Sequence, residues 1–144
     1  MDQDEQTMIA ASRERLRRFV EETKDDDLAR SIDEDWTAAA LLAHLAFWDR
    51  RTAWLVTRCL QGNCGPSPVD LDSINEPALP QWSLIAPRAA AAEVLEAAAE
   101  IDGLLPTLSA TQLAALRESK VNYNRSKHRN AHLDQIERVL QHGS

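Results

Sequence analysis

Residues 125 to 140 read R-S-K-H-R-N-A-H-L-D-Q-I-E-R-V-L. Within them His128, His132, Ile136 and Leu140 recur every four residues, so they share one face of an α-helix while charged side chains occupy the others. The spacing predicts a helix from about Arg125 to Leu140 whose inner face begins with two imidazoles. Side chains one turn apart can reach a single metal ion when a third ligand arrives from a facing helix.

A third imidazole lies on an earlier helix. Thr37 is a suitable N-cap, and the run from it to Gln61 places Leu41, His44, Leu45, Trp48, Thr52, Leu55 and Cys59 on one face, with Gly62 as its stop. His44 follows Thr37 by seven residues and His132 precedes Leu140 by eight, so each sits roughly 10 to 12 Å from its helix end at about 1.5 Å per residue. An antiparallel pairing of these helices would bring the histidines level. His142, in the tail Q-H-G-S, needs no role.

The remaining chain supplies two more long helices. Residues 5 to 23 carry Met8, Ile9, Ser12, Leu16, Phe19 and Val20 at helical intervals, and the acidic connector after them holds Leu28, Ile32 and Trp36, apolar enough to fold over an end of the core. Five of the six prolines and two of the four glycines fall between Gly62 and Pro87, which predicts a long irregular connection. At roughly 3.3 Å per residue it can run back along a helix pair, so parallel and hairpin arrangements of the second and third long helices both stay open. The third runs from Pro87 through Val94, Leu95, Ala98, Ile101 and Leu105, ending near Gly103 and Pro106. Ser109-Ala-Thr-Gln112 has the form of a capping box and opens a further helical stretch. No strand, repeat or low-complexity tract is expected. The economical fold is all-α, a four-helix bundle forming one domain over residues 1–144.

Composition narrows the function. A chain of 144 residues with 44% apolar and 27% charged residues is globular in type. Its net charge of -7 opposes a phosphate backbone, so no nucleic-acid partner is expected. No stretch approaches the roughly 20 apolar residues of a membrane span, and the acidic start M-D-Q-D-E-Q is unlike a secretory signal, which predicts a cytoplasmic protein. Cys59 and Cys64 match no strong zinc spacing, and Cys59 continues an apolar stripe, so buried free thiols are expected.

The segment D-W-T-A-A-A-L-L-A-H-L-A-F-W-D and the late R-S-K-H-R-N-A-H-L-D-Q-I-E resemble the two signatures of the DinB-like metal-binding bundle superfamily. The intervening S-I-N-E-P-A-L-P-Q-W is similar to the crossover in relatives of the mycothiol-dependent maleylpyruvate isomerase N-terminal domain. The resemblance spans nearly the whole chain and rests on the order and spacing of loose motifs. It implies an up-down-down-up bundle with a long crossover, a divalent metal, zinc or nickel, on His44, His128 and His132, and a homodimer, for which exposed faces of the first or third long helix are available. It also implies a low-molecular-weight thiol cosubstrate such as mycothiol or bacillithiol. The chain ends after the bundle, which argues against maleylpyruvate isomerase activity itself.

Three neutral imidazoles leave a divalent ion its full charge and an open position, the arrangement of a catalytic site. Such an ion lowers the pKa of a bound water or thiol, or polarises a carbonyl. No Glu lies between His128 and His132, so the H-E-x-x-H protease mechanism lacks its base. Trp48, Asn75 and Arg125 are the candidate residues for binding substrate or thiol at the mouth of the site, and Asp49, Asp134 and Glu137 are candidates to orient a histidine. The leading function is a metal-dependent thiol transferase or isomerase acting on a small electrophile. The alternatives are a non-catalytic metal-binding stress-response or binding module, and a structural bundle with hydrogen-bonded core histidines.

Overall fold

The computed structural model describes residues 1–142, and their secondary structure is helical apart from one small hairpin. α1 (Gln3–Glu22) starts at Asp2, whose side chain accepts from the Glu5 amide, and buries Ile9, Ser12, Leu16, Phe19 and Val20 as their spacing requires. Met8 falls outside that stripe and is exposed. The short α2 (Asp25–Leu28) buries Leu28.

The expectation of no strand is corrected here. β1 (Ser31–Asp33) pairs antiparallel with β2 (Trp36–Thr37), and this hairpin folds Ile32 and Trp36 against the core. Two short runs are too brief to show a two-residue alternation in sequence. α3 (Ala38–Leu60) follows directly, with the Thr37 hydroxyl accepting from the Ala40 amide.

Beyond α3 the chain turns on Gly62, whose φ of 87° is a conformation that glycine adopts without steric cost. The Asn63 amide then donates to the Arg58 carbonyl and the Gly62 amide to that of Cys59, satisfying carbonyls at the helix end. This tight reversal brings Cys64 back to Cys59 at a Cα separation of 4.0 Å, and the two form a disulfide. The expected free thiols are thus corrected: Cys59 is buried as predicted, but it is bonded.

The connection is also more ordered than its prolines suggest. α4 (Leu71–Trp82) contains Pro77 and Pro80 in its interior, both exposed, so the carbonyls they leave without an amide partner are on the solvent side. α5 (Pro87–Leu104) has Pro87 in its first turn and passes into a single 3₁₀ turn at Leu105–Thr107. α6 (Ala110–Glu118) carries the predicted capping box of Ser109 and Gln112 in full. It ends before α7 (Ser126–His142), so the two are separate helices.

α3 packs chiefly on α5, and α1 on α7 and α5, while α3 also meets α7. Two apolar clusters result. One gathers Leu16, Leu42, Leu45, Val94, Leu133 and Ile136, and the other Ile9, Val56, Ile101, Leu113, Leu116 and Tyr123. The buried polar residues Ser12, Asp49, Asp102 and Arg129, one from each of the four long helices, lie close to where the two clusters meet in the numbering of α1, α3 and α5. The fully buried Arg129 guanidinium donates to Asp102 Oδ1 and Oδ2 at 2.8 Å each, to Asp49 Oδ2 at 3.2 Å and to Ser12 Oγ at 3.3 Å. None of the described helices is long and apolar enough to cross a membrane.

Removing one partner of a buried ion pair leaves the other uncompensated. Arg129→Met is therefore expected to destabilise the protein by about 4 kcal/mol in urea titration, because Asp102 loses its buried cation and Asp49 keeps only Arg125.

Candidate metal centre

His44, on the second turn of α3, is buried, whereas His128 and His132, one turn apart near the start of α7, are half-buried. Their Nε2 atoms converge: His44 to His128 at 3.3 Å and His132 to His128 at 3.2 Å. One ligand atom from each of the three lies within 4.8 Å of the others. Four nitrogens placed tetrahedrally at about 2.0 to 2.1 Å from zinc are separated by about 3.3 Å, so the two shortest contacts match tetrahedral edges. The three histidines can hold a metal ion.

Aromatic rings fix His44 from behind. Trp36 and Trp82 meet it edge to face, with ring centroids at 5.6 and 5.4 Å, and both rings come from the connections that flank α3. Such contacts set the ring plane without taking up a nitrogen.

The outer ring nitrogens differ in chemistry. His132 Nδ1 lies 3.2 Å from Gln135 Oε1, an acceptor, so Nδ1 carries the proton and Nε2 keeps its lone pair. His44 Nδ1 is buried with no hydrogen-bond partner. His128 Nδ1 lies 2.6 Å from Arg125 Nη2, which can only donate. That contact assigns the His128 proton to Nε2, between the other two histidines. Ligation through His128 Nε2 therefore requires Arg125 to release Nδ1. The donor types and spacing fit a divalent ion, and Arg125 is the one contact that opposes it.

All three imidazoles are held neutral. Burial, with the charges of His132 and Arg125, lowers the His44 pKa to about 4, against the help of Asn75. Burial and the Arg125 guanidinium lower that of His128 to about 2, and burial lowers that of His132. Neutral imidazole is the ligating form.

The three residues expected at the mouth do gather there. Trp48 Nε1 donates to Asn75 Oδ1 at 2.9 Å, which ties α4 to α3, and Arg125 Nε donates to Asp49 Oδ1 at 2.8 Å. Together with His44 and His128 they line a pocket of about 320 Å³. The expected orienting carboxylates are placed elsewhere. Asp49 binds Arg125 and Arg129 and touches no histidine, while Asp134 and Glu137 pair with Arg15 of α1 on another face of α7. Helical spacing names neighbours on one helix, and here the neighbours on other helices claimed the charges.

Several residues of the site escaped sequence reading. Gln135 sits three positions after His132, a spacing that could have suggested it. Arg129 lies beside His128 in sequence and looks like one more surface cation. Trp82 follows two prolines in a stretch read as irregular, which hid its helical placement.

The sequence profile of the DinB superfamily matches residues 8–143. The chain belongs to the DinB superfamily. No curated protein and no solved structure matches the chain significantly. The DinB match covers both histidine-bearing helices and the crossover between them, and the tri-histidine cluster is compatible with metal binding in this family.

Two outcomes follow for the site. With the folded pKa of His44 below its ordinary 6.5, the unfolded chain takes up protons first as the pH falls. The metal-free protein is expected to hold its full stability above about pH 6.5 and to lose it progressively toward pH 4 in urea titrations, with His44→Gln flattening that dependence. Arg125→Ala removes both the competing donor and a nearby positive charge. It is expected to raise metal affinity about tenfold by competition with a chelator, while lowering the melting temperature because Asp49 loses a partner.

Proposed function

We propose that this DinB-superfamily protein is a metal-dependent thiol transferase or isomerase, with His44, His128 and His132 as the ligands. The observation that carries the reading is the convergence of His44 and His132 on His128, at 3.3 and 3.2 Å, beside a pocket large enough for a small molecule that His44 and His128 line. A divalent ion bound there supplies a lowered pKa to a thiol or water and a Lewis acid for a carbonyl. The chain's own residues do the rest. Trp48 and Asn75, joined by their hydrogen bond, wall the pocket on the α3 and α4 side. Arg125, held by Asp49, offers its guanidinium to an anionic group once it leaves His128. The substrates in this reading are a low-molecular-weight thiol and a small electrophile, and zinc or nickel suits the ligand set.

The proposed frame is a single domain, an up-down-down-up bundle of α1, α3, α5 and α7. Residue pairings support it. Ser12 meets Arg129 and Arg15 meets Glu137, numbers rising together in α1 and α7. His44 meets His132 and Asp49 meets Arg125, numbers running oppositely in α3 and α7. Arg88 meets Val20 and Asp102 meets Arg13, again oppositely, in α5 and α1.

A non-catalytic metal-binding module is favoured by one observation: among the described residues no carboxylate side chain lines the pocket to serve as an acidic general base. Elemental analysis of the purified protein beside the variant His44→Ala, His128→Ala, His132→Ala tests the metal. Near-stoichiometric zinc or nickel in the parent and none in the variant is expected. Absence of metal from the parent after reconstitution removes both readings. With metal present, thiol-dependent consumption of a small electrophile, lost in the triple variant, supports the enzyme, and its absence across a panel of thiols leaves the binding module.

A further inference from the structure

We propose that the pocket beside the histidines takes a small organic anion whose carboxylate is held at the mouth by Lys120 and Arg51. This deepens the thiol-enzyme reading and rests on it for what the ligand's other end meets.

The charge distribution points this way. The chain carries 23 acidic residues against 16 basic ones, yet the residues lining this pocket include Arg51, Lys120 and Arg125 and not one carboxylate. Arg125 is already committed to Asp49 and His128. The other two are not neutralised. Arg51 Nη2 donates to the Ser67 carbonyl at 2.6 Å and its guanidinium lies 5.6 Å from the centre of the Trp48 ring, so it is positioned by neutral groups alone. Lys120 makes no ion pair among the described residues. A low-dielectric wall of Leu55, Val69 and Trp48 beside these cations strengthens their attraction for a small anion.

Lys120 also holds a conformation that a lysine does not choose. Its φ is 58°, the left-handed region, at the residue after the α6 C-cap, where its amide donates to the Arg117 carbonyl and the Val121 amide to that of Leu116. The end of α3 uses the same pair of bonds, with Gly62 in the equivalent place. One chain thus puts glycine at one such turn and lysine at the other, and the lysine is the one at the pocket. The loop is held from below, since the buried Tyr123 hydroxyl accepts from Arg117 Nε at 2.9 Å. Backbone outliers of this kind cluster at ligand clamps, which marks Lys120 out among the pocket's cations.

The test uses the whole, metal-free protein at pH 7.5, where the histidines are neutral, and compares succinate with its uncharged analogue succinamide. The indole N–H resonance of Trp48 in nitrogen-15 correlation NMR reports occupancy. Succinate is expected to bind saturably in the millimolar range, about tenfold tighter than succinamide, with the preference shrinking as salt rises. Lys120→Gly is expected to weaken succinate about tenfold while the melting temperature holds or rises, because glycine relieves the backbone, and Arg51→Gln is expected to weaken it similarly. Equal binding of the two compounds, no saturation by about 50 mM succinate, or unchanged affinity in Lys120→Gly overturns the proposal. Metal content is read separately. A metal-loaded protein without carboxylate preference defeats this subsite alone, and carboxylate preference in a protein that takes no metal defeats the thiol-enzyme reading alone.

Discussion

A single buried guanidinium holds this structure in register. Arg129 is fully buried on α7 and binds Asp102 of α5, Asp49 of α3 and Ser12 of α1, so all four long helices contribute to one polar layer. A charge out of water is tolerated only when its donors are met, and a planar five-donor fork can meet several acceptors at fixed angles. Apolar packing above and below permits small shifts of one helix along another, because leucine and alanine contacts are similar at neighbouring positions. The Arg129 layer permits far fewer, since a small shift would break its bonds to Asp102, Asp49 and Ser12 together.

That register places the histidines. Arg129 is adjacent to His128, and Asp49 lies five residues after His44, so fixing Arg129 on Asp49 fixes how α3 and α7 face each other one turn away. The same Asp49 holds Arg125, and Arg125 reaches His128. Stability and site chemistry are thereby joined through three side chains. The carboxylate that anchors the core also aims the cation that occupies the outer nitrogen of one histidine. In the structure Arg125 occupies His128 Nδ1, so a metal ion held through His128 Nε2 would have to displace it.

The crossover has a comparable double use. Gly62 turns the chain tightly enough to close the Cys59–Cys64 disulfide, and the chain then passes Ser67, which holds Arg51, before α4 delivers Asn75 to Trp48 and Trp82 to His44. A segment whose prolines suggest an irregular connection is instead partly helical and forms one wall of the site. Its helix survives two internal prolines because the carbonyls they free are on the outer, hydrated side.

Local chemistry by itself determined the long helices, the Thr37 cap, the Ser109 capping box and the shared face of His128 and His132, because each depends on side chains at most one turn apart, while the level of His44 depended further on which way its helix ran. Family membership was legible for the same reason, through two histidine-bearing helices in order. What only the tertiary structure decided was the partner of each charge. Asp49, Asp134, Glu137 and Arg129 look alike as polar positions on helices, and burial separates them: Asp49 and Arg129 have lost water and must find each other, whereas Asp134 and Glu137 keep it and pair with Arg15 at the surface. The helical crossover belongs to the same class, since Asn75 meets Trp48 and Trp82 meets His44 on α3, whereas the β1–β2 hairpin and the Cys59–Cys64 disulfide are local but too short to carry a repeating pattern.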